Sequence, residues 1–443
     1  MIAMLQTLEL NNLGPIGQCR LEINRFTVFT GPQSNGKSTV AKAVYFFKSV
    51  KQDILNIMMR GGPGAMSDRG RETWMRVLKQ RMRDKFLQLF GTSWIMPDDM
   101  EMRYAYTQSV WLRVFLVPSQ TDAGNFIEFE FSNAFRDYLE DLDSHVFRNI
   151  TAKEMTREKT ALERKLSDPY ETVFIPAGRN LITLLSTQLN YIFTSLEGVQ
   201  LRNIDHITRR YTELILKLKP LFSEGMNGIL AGLENDIDQF KRYKKHRAAI
   251  RMLMERAEDM LKGVYRCVDG EERLYLDNRR YIKINFASSG QQEIVWVINL
   301  MFYYLVEDRR VFMILEEPES HLYPDSQQTL GEVLALFLNE GDGGLITTHS
   351  PYLLGTFNYL LLAGQTSREK QEKIKAKLHK RYWIDPDIAS ACYIHDGRME
   401  NAIDSDDDLR LINNELIDGA SGSINALSEY IIEQSYEGEA EDE

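Results

Sequence analysis

Hydrophobic residues follow two main patterns along this chain, and together they predict an α/β fold. Continuous apolar runs, which are typical of buried strands, occur at residues 26–29, 172–175, 311–315 and 345–347. Apolar residues at helical spacing occur at residues 40–46, 294–306 and 324–339. Because strands alternate with helices at both ends of the chain, we expect an α/β core.

The middle of the chain shows other patterns. Apolar and polar residues alternate over residues 102–131, which predicts antiparallel strands interrupted at Pro118 and Gly124. Residues 181–262 contain few helix breakers and predict two or three helices, as a bundle or short stalk. A β-hairpin is predicted around the turn Asp277–Asn278. Charged helices are predicted at residues 68–89 and 153–166.

A phosphate-binding motif lies between the first buried strand and the first helix. It reads FTGPQSNGKST over residues 29–39. Glycines allow backbone N–H groups and the helix N-terminus to surround a phosphate. Lys37 is expected to reach the outer phosphates of a nucleotide, and the Ser38 hydroxyl is expected to bind Mg²⁺. The predicted ATP-binding residues are Gly31, Ser34, Asn35, Gly36, Lys37, Ser38 and Thr39.

Two carboxylates follow the apolar strand at residues 311–315. Glu316 is predicted to bind Mg²⁺ directly or through water, and Glu317 to orient and polarise the water that attacks ATP. We expect Glu319, two residues further on, to be a cap or an interface residue. His349 directly follows the next strand, where its imidazole is predicted to bind the γ-phosphate or the attacking water.

A second segment of small polar residues precedes the long apolar helix at 294–306. It reads ASSGQ over residues 287–291. Small residues at a helix N-terminus form an anion-binding cradle. One ATP within a single chain has no use for two separate cradles, so we expect two copies arranged head to tail, each completing the ATP site of the other.

The order of these motifs resembles that of ABC-type ATPase heads: phosphate loop, signature loop, strand with two acids, histidine. The chain looks most like the overcoming-lysogenisation-defect and RecF-like branch, through EEPESHLYP at 316–324 and THSPYLL at 348–354. The resemblance implies an α/β head in which a mixed sheet carries the phosphate loop, with an antiparallel β subdomain and a helical insertion. It also implies that Ser288, Gly290 and Gln291 contact the γ-phosphate of ATP held by the partner's phosphate loop.

Three positions depart from the wider ABC pattern. Ala287 and Ser289 stand where Leu and the first signature Gly are usual, and Glu316 stands where Asp is commoner. These departures affect the expected rate of hydrolysis more than ATP binding. The sequence identifies neither a glutamine-loop residue nor an aromatic residue for adenine. Arg179 is a candidate phosphate-sensing arginine, but the interpretation that we favour is a surface or helix-capping arginine.

Composition and charge limit the class of protein and the partners that we expect for this chain. The 443 residues are 43% hydrophobic and 26% charged, as in soluble globular proteins of two or three domains. A net charge of −11 argues against a wholly basic nucleic-acid binder, although basic stretches at 69–85 and 241–247 leave DNA contact open. Three scattered cysteines predict neither disulfides nor a zinc site. With no visible signal peptide and no bilayer-length apolar run, we expect a cytoplasmic protein without membrane contact.

These patterns divide the chain into four expected parts. Residues 1–180 and 269–400 are the two halves of the ATPase lobe, residues 181–268 are the helical insertion, and residues 401–443 are a C-terminal extension with an acidic tail. The acid run at Asp404 and residues 406–408 is interpreted as a solvated loop rather than a nuclease site.

Heads of this kind that lack a fused nuclease resemble the ATPase subunits of bacterial antiphage systems, such as the Septu and PARIS types. That resemblance implies an ATP-hydrolysing sensor or scaffold, as a homodimer or higher oligomer, that controls a separate nuclease or toxin. Two alternatives stay open. One is a DNA-repair or chromosome-type ATPase that clamps DNA, and the other is a nucleotide-locked assembly with little turnover.

Overall fold

A mixed β-sheet with helices on both faces organises the chain in the computed structural model. The described residues are 5–59, 74–118, 125–145, 151–185, 205–233, 237–404, 409–413 and 426–429. The predicted beginning of the helix at 68–89, residues 406–408 and the acidic tail lie outside these ranges.

The strands begin and end close to the predicted positions wherever a continuous apolar run or an alternating pattern marked them. Their bounds are β1 Gln6–Leu13, β2 Ile16–Ile23, β3 Phe26–Thr30, β4 Glu101–Ala105, β5 Trp111–Pro118, β6 Asn125–Phe131, β7 Glu171–Ile175, β8 Val264–Val268, β9 Glu271–Tyr275, β10 Tyr281–Lys283, β11 Val311–Glu316, β12 Gly343–Thr347, β13 Ala389–His395, β14 Arg398–Asn401, β15 Ile403–Asp404 and β16 Leu411–Ile412.

The helices include all those predicted from apolar periodicity. Their bounds are α1 Lys37–Lys48, α2 Val50–Met59, α3 Trp74–Phe90, α4 Asn133–His145, α5 Ala152–Lys165, α6 His206–Leu218, α7 Gly225–Leu233, α8 Ile237–Leu261, α9 Ser289–Val306, α10 Pro324–Asn339, α11 Pro351–Gln365 and α12 Arg368–Lys375. Within the described ranges, none of these helices is long and apolar enough to cross a bilayer.

The main sheet joins a parallel half to an antiparallel half. Its strand order within the described residues is β6-β5-β4-β1-β2-β14-β13-β3-β12-β11-β7. Strands β13, β3, β12, β11 and β7 are parallel, whereas β6, β5, β4, β1 and β2 pair antiparallel. The predicted α/β fold with a mixed sheet and antiparallel strands is confirmed.

Each face of the sheet has its own hydrophobic core. In β11, Met313 and Leu315 belong to one core and Phe312 and Ile314 to the other, as the two-residue period of a strand requires. Helices α1 to α5 cover one face, and α8 to α11 cover the other. All five residues of β3 are buried because helices lie on both of its faces.

The region predicted as a helical insertion, residues 181–268, contains helices α6, α7 and α8 and ends in strand β8. Helix α8 packs along α9 and α10. The predicted hairpin is confirmed as β9 and β10, but β8 extends it to three strands and was missed. Strands β13 and β14 were also missed, and β13 lies directly beside β3, with Cys392 paired to Phe29. The domain boundaries given above stay a prediction.

Candidate functional site

The phosphate loop, residues 31–38, follows β3 at the carboxyl edge of the parallel strands. Its glycines are required by the backbone and by close neighbours. Gly31 has φ +134°, and a Cβ there would lie 2.1 Å from the carbonyl oxygen of Ile394. Gly36 has φ +100°, and a Cβ there would lie 2.5 Å from Cδ1 of Ile16. Larger residues at either position would displace the loop.

The N-terminus of α1 is open towards this loop. Gly36 occupies the N-cap position and provides no side-chain hydrogen bond, so the first backbone N–H groups of α1 have no side-chain cap. Lys37 donates from Nζ to the carbonyl oxygens of Gly31 at 2.9 Å and Pro32 at 2.7 Å. Burial lowers the pKa of Lys37 to about 8, although Glu317 and Glu319 oppose this shift. The loop therefore presents uncapped N–H groups and a buried amine to an anion.

The remaining predicted loop residues surround this centre. Ser34 is exposed with φ +64°, and Thr39 packs near Gly14 in the β1–β2 turn. Asn35 ties the loop to a segment outside the motif, because its Oδ1 accepts a hydrogen bond of 2.9 Å from the backbone N–H of Asp396. This contact with the β13–β14 turn was missed, since Asn35 and Asp396 are far apart in the sequence.

Glu316 ends β11 beside the phosphate loop. Its side chain lies beside Ser38, and its Oε2 accepts from the backbone N–H of Ala177 at 3.4 Å. Its Oε1 is buried without a hydrogen-bond partner. Burial raises the pKa of this carboxyl group, with Ser38 acting in the opposite direction. A buried carboxylate oxygen without a partner is costly unless a cation or a proton satisfies it.

Ser38 and Glu316 fit the chemistry of a magnesium site. Mg²⁺ prefers oxygen ligands and commonly keeps water and phosphate oxygens beside one or two protein ligands. The partnerless Oε1 of Glu316 is a free oxygen of this type, next to a hydroxyl. No group of three or more His, Cys, Asp or Glu side chains among the described residues could hold a metal. A protein-only metal cage is therefore not formed by this part of the chain.

Glu317 and His349 meet at the same edge of the sheet. Parallel pairing of β11 with β12 aligns Glu316 with Thr347 and so brings the residues after both strands together. His349 Nε2 lies 3.5 Å from Glu317 Oε1. The hydrogen bond from His349 lowers the pKa of Glu317, so this carboxylate stays ionised. Glu317 also has φ +42°, a strained conformation for a residue with a side chain.

Glu319 has a different role from the expected cap or interface residue. Its Oε1 accepts hydrogen bonds from the Thr348 hydroxyl at 2.6 Å and from the His349 backbone N–H at 2.9 Å. It is 8% exposed, and burial raises its pKa. Glu319 therefore holds the segment that carries His349, and it does so from inside the fold.

The ASSGQ segment caps the helix that follows it. Ser288 is the N-cap of α9, and Ser288 and Gln291 form a reciprocal capping box. Gln291 Nε2 also donates to the Leu261 carbonyl oxygen at 2.7 Å. Gly290 is buried, and a Cβ there would lie 2.8 Å from the His321 carbonyl oxygen. Ser288 is exposed, and its hydrogen bonds within the described residues stay inside this segment.

Arg179 is fully buried, so the interpretation as a surface or capping arginine was wrong. Its guanidinium donates to the carbonyl oxygens of Glu316 at 2.6 Å and Glu317 at 3.0 Å. It also forms an ion pair of 3.1 Å with Glu293, which is likewise fully buried. The segment that carries Arg179, PAGRN at residues 176–180, therefore lies beside the two acids at the end of β11. Glu293 was missed by sequence reasoning.

The edge formed by β3, β12, β11 and β7 combines groups with separate chemical uses. It offers an uncapped helix N-terminus, an amine, a buried carboxylate beside a hydroxyl, and an ionised carboxylate beside an imidazole. The sequence profile of the AAA ATPase domain family matches residues 119–354, more than half of the chain. The chain belongs to the AAA ATPase domain family. The matched segment contains the two acids and His349, and the phosphate loop precedes it.

Membership of this ATPase family implies ATP binding, in agreement with the phosphate loop. No curated protein matches the chain significantly. The finer assignment to the overcoming-lysogenisation-defect branch and to antiphage systems stays a prediction.

Similar solved structures include three SMC heads. An SMC head bound to the C-winged helix domain of ScpA is 12% identical, covers 90% of this chain and 96% of its own, and has a TM-score of 0.41. An SMC head with an extended coiled coil, bound to the C-terminal domain of ScpA derived from Pyrococcus furiosus, is 13% identical, with coverages of 96% and 99% and a TM-score of 0.37. The Thermotoga maritima SMC head is 12% identical, with coverages of 90% and 97% and a TM-score of 0.36. These scores are low, so the three structures do not bear on the role of this chain.

Proposed function

We propose that this chain hydrolyses ATP at a site completed by a second copy of itself. The observation that carries the hydrolytic part is the ionised Glu317 beside His349, at the same edge as the open N-terminus of α1. An ionised carboxylate can accept a proton from an attacking water, and an open helix N-terminus can hold the phosphates.

Within one chain, the phosphate loop binds the triphosphate through its N–H groups and Lys37. Ser38 and Glu316 would hold Mg²⁺, which when bound supplies positive charge to the phosphate oxygens. Glu317 accepts the proton of the attacking water, and His349 at 3.5 Å keeps that carboxylate ionised and oriented. Arg179 and Glu319 hold the backbone segments that carry these groups.

The second copy contributes the N-terminal turn of α9. Its Ser288 is exposed to an anion from outside, although its hydroxyl and backbone N–H are paired with Gln291 in a capping box. A phosphate brought by the other chain would compete with that box or use the N–H groups that the box leaves free. Ser288 and Gln291 would then bind the γ-phosphate of ATP held by the partner, with Gly290 allowing the turn to pack against His321.

A complementation experiment tests this shared site. Lys37→Ala inactivates the phosphate loop and Ser288→Arg blocks the turn of α9. In a head-to-tail dimer of the two variants, one composite site contains both defects and the other contains neither. We therefore expect each variant alone to be inactive and their mixture to recover ATP hydrolysis, measured as phosphate release.

Three results would contradict the proposal. If the mixture stays inactive while each variant binds a fluorescent ATP analogue or folds as the wild type does, Ser288 does not act across a dimer. If Ser288→Arg alone hydrolyses ATP normally, the turn of α9 is not part of the site. If the wild type releases no phosphate from ATP with Mg²⁺, the chain binds nucleotide without useful turnover.

In the cell, we infer that this ATPase is the sensor or scaffold of an antiphage system and controls a separate nuclease or toxin. Support comes from the EEPESHLYP and THSPYLL segments, which resemble the overcoming-lysogenisation-defect and RecF-like branch. Heads of that branch without a fused nuclease resemble the ATPase subunits of antiphage systems. Co-expression with the protein encoded by the adjacent gene tests this role. A stable complex in which ATP changes the activity of that protein is expected, and a neighbour that neither binds nor responds would contradict it.

A second candidate is an ATPase that clamps DNA directly. It is favoured by exposed cations on α8, although two of these cations are paired, Arg242 with Glu307 at 3.7 Å and Lys245 with Asp308 at 2.6 Å. Lys244 and Arg247 lie beside them on the same helix. Phosphate release that rises several-fold on addition of DNA, and falls again with salt, would favour this candidate over the first.

A further inference from the structure

The side chain of Arg179 contacts three separate segments of the site. Its Nη1 donates to the carbonyl oxygens of Pro176 at 2.8 Å and Glu316 at 2.6 Å, and its Nη2 donates to that of Glu317 at 3.0 Å. Its Nε faces Glu293, with Oε2 at 3.1 Å and the carbonyl oxygen at 3.3 Å. One planar guanidinium therefore spans the end of β7, the acidic end of β11 and the first turns of α9.

Glu293 anchors this network on α9, the helix that begins at the ASSGQ segment. It lies five residues after the N-cap Ser288, on the same helix. Its Oε2 accepts from the backbone N–H of Arg179 at 3.2 Å, in addition to the ion pair. Its Oε1 faces His321 Nδ1 at 3.6 Å, beyond a hydrogen bond. Both Arg179 and Glu293 are 0% exposed, so solvent does not compete for these contacts.

A second contact links the same two segments. Gly290 packs so closely against the segment after the acids that a Cβ would lie 2.8 Å from the His321 carbonyl oxygen. The turn of α9 and residues 316–322 are therefore connected in two places. One connection runs through Arg179, which pairs with Glu293 and donates to the carbonyl oxygens of Glu316 and Glu317, and the other is the close packing of Gly290 against His321.

We propose that Arg179 and Glu293 are a positioning pair that couples the acids at the end of β11 to the turn of α9 that faces the second copy. Both side chains are fully buried, so the pair acts through the groups that it holds. It fixes the carbonyl groups of Glu316 and Glu317 and, through α9, the position of Ser288. This inference rests on the proposed function, and it adds that the two halves of the shared site within one chain move as one unit.

Two conservative variants test the pair. Arg179→Lys keeps the positive charge but cannot span all of its carbonyl partners, since lysine lacks the planar fork. Glu293→Gln keeps the shape and an acceptor oxygen but removes the charge. Asp53→Asn is the matched control, because Asp53 forms another buried ion pair, with Lys85, that lies among α2 and α3. Thermal unfolding of all three variants reports how much each substitution destabilises the fold.

We expect kcat for ATP hydrolysis to fall about 10–100-fold in both test variants, as for residues that orient catalytic groups from behind, while KM changes little. The double variant should lose no more than the worse single variant, because the two residues act as a unit. Asp53→Asn should keep the wild-type kcat even if its unfolding temperature falls as much as those of Arg179→Lys and Glu293→Gln.

A readout without turnover separates this inference from the proposed function. Hydrogen exchange of the peptides that contain residues 288–293 and 316–322 is measured with and without a non-hydrolysable ATP analogue. In the wild type, the analogue should slow exchange in both peptides together, and in Glu293→Gln only in the peptide with the acids.

The inference fails if Arg179→Lys or Glu293→Gln keeps wild-type kcat, if their losses appear only in KM, or if Asp53→Asn loses kcat equally. It also fails if the two peptides respond independently in the wild type. The proposed function fails separately, if the wild type itself releases no phosphate. Should Arg179→Lys not fold, Glu293→Gln decides alone.

Discussion

Two helix N-termini in this chain are predicted to bind phosphate, and they differ in how their backbone groups are satisfied. At α1 the N-cap is Gly36, which has no side chain to cap the first N–H groups. At α9 the N-cap is Ser288, whose hydroxyl accepts from the Gln291 N–H while the Gln291 side chain accepts from the Ser288 N–H. The first terminus is open to a ligand, and the second is closed by its own residues.

This difference teaches that the two cradles are not equivalent. An open terminus is prepared for an anion without rearrangement, because its orphan N–H groups have no competing partner. At the closed terminus, a phosphate must compete with the capping box or use the N–H groups that the box leaves free. We therefore expect α1 to hold the nucleotide and α9 to join only when a second chain brings the phosphate to it.

The largest expected effect lies beside the open terminus. Replacing Glu317 with Gln removes the ionised acceptor for the proton of the attacking water, so hydrolysis should fall by about 10²–10⁴-fold. Binding of a fluorescent ATP analogue should persist, because the phosphate loop is unchanged. Light scattering after gel filtration should show dimers accumulating with ATP. The check is the rate of phosphate release at saturating ATP.

Glu400→Gln is the matched control for this substitution. Glu400 lies on β14, is largely exposed, and contacts His395 at 3.2 Å rather than the phosphate loop. Its loss should leave hydrolysis unchanged. If Glu317→Gln hydrolysed ATP as fast as this control, another group would be the proton acceptor. Hydrolysis would then no longer be assigned to the groups beside the open N-terminus of α1.

The sequence predicted those parts of the site whose residues are close together along the chain. The phosphate loop, the acids and His349 were identified because each directly follows a continuous apolar strand, a local pattern. Helix α10 was predicted with both its ends, since Pro324 begins it and a regular apolar stripe runs through it. Such features need only neighbouring residues.

Other features depend on partners that no local pattern names. Arg179 follows a proline and a glycine, as surface arginines in turns do, and its partners Glu293 and Glu316 lie more than 100 residues away. Strand β13 pairs with β3 across more than 360 residues, as Cys392 does with Phe29. The closed state of the α9 terminus was also missed, although the Ser288–Gln291 spacing matches a capping box.

An intermediate effect is expected at the closed terminus. Ser288→Ala removes the capping hydroxyl and should destabilise the chain by about 1 kcal/mol, as lost N-caps do. It should also weaken ATP-dependent dimerisation, because the same hydroxyl would bind the partner's phosphate. Urea unfolding measures the loss of stability. ATP-dependent dimerisation is measured with Ser288→Ala introduced into the non-hydrolysing Glu317→Gln variant.

The chain contains a matched capping box for comparison. Thr151 and Glu154 cap α5 in the same reciprocal way, with the Glu154 N–H donating to Thr151 Oγ1 at 3.3 Å. Thr151→Ala should cost a similar stability and leave dimerisation unchanged. Equal weakening of dimerisation in both variants would mean that Ser288 acts only by stabilising its helix, and the closed terminus would then be purely structural.

The far end of α9 offers a third comparison, through a histidine that holds α8 to the core. His246 Nε2 lies 2.9 Å from Asp308, just after α9, and His246 Nδ1 lies 2.8 Å from Glu340, just after α10. Lys245 also contacts Asp308, and Arg381 also contacts Glu340. The hydrogen bond to Glu340 raises the pKa of His246, which burial opposes and the hydrogen bond to Asp308 supports.

The smallest effect is a pH-dependent one at this end. Because the folded-state pKa of His246 is raised, its stabilisation is fully present below about pH 6.5, the ordinary histidine value, and is lost as pH rises through the folded pKa. The difference in free energy of unfolding between wild type and His246→Gln should therefore shrink from pH 5.5 to pH 8.5, measured by urea titration at about those values. ATP-dependent dimerisation should persist in this variant, because His246 lies at the opposite end of α9 from Ser288. If ATP-dependent dimerisation of His246→Gln were weakened as much as that of Ser288→Ala, destabilising α9 at either end would be enough to weaken dimerisation. The capped N-terminus of α9 would then have no specific role in dimerisation.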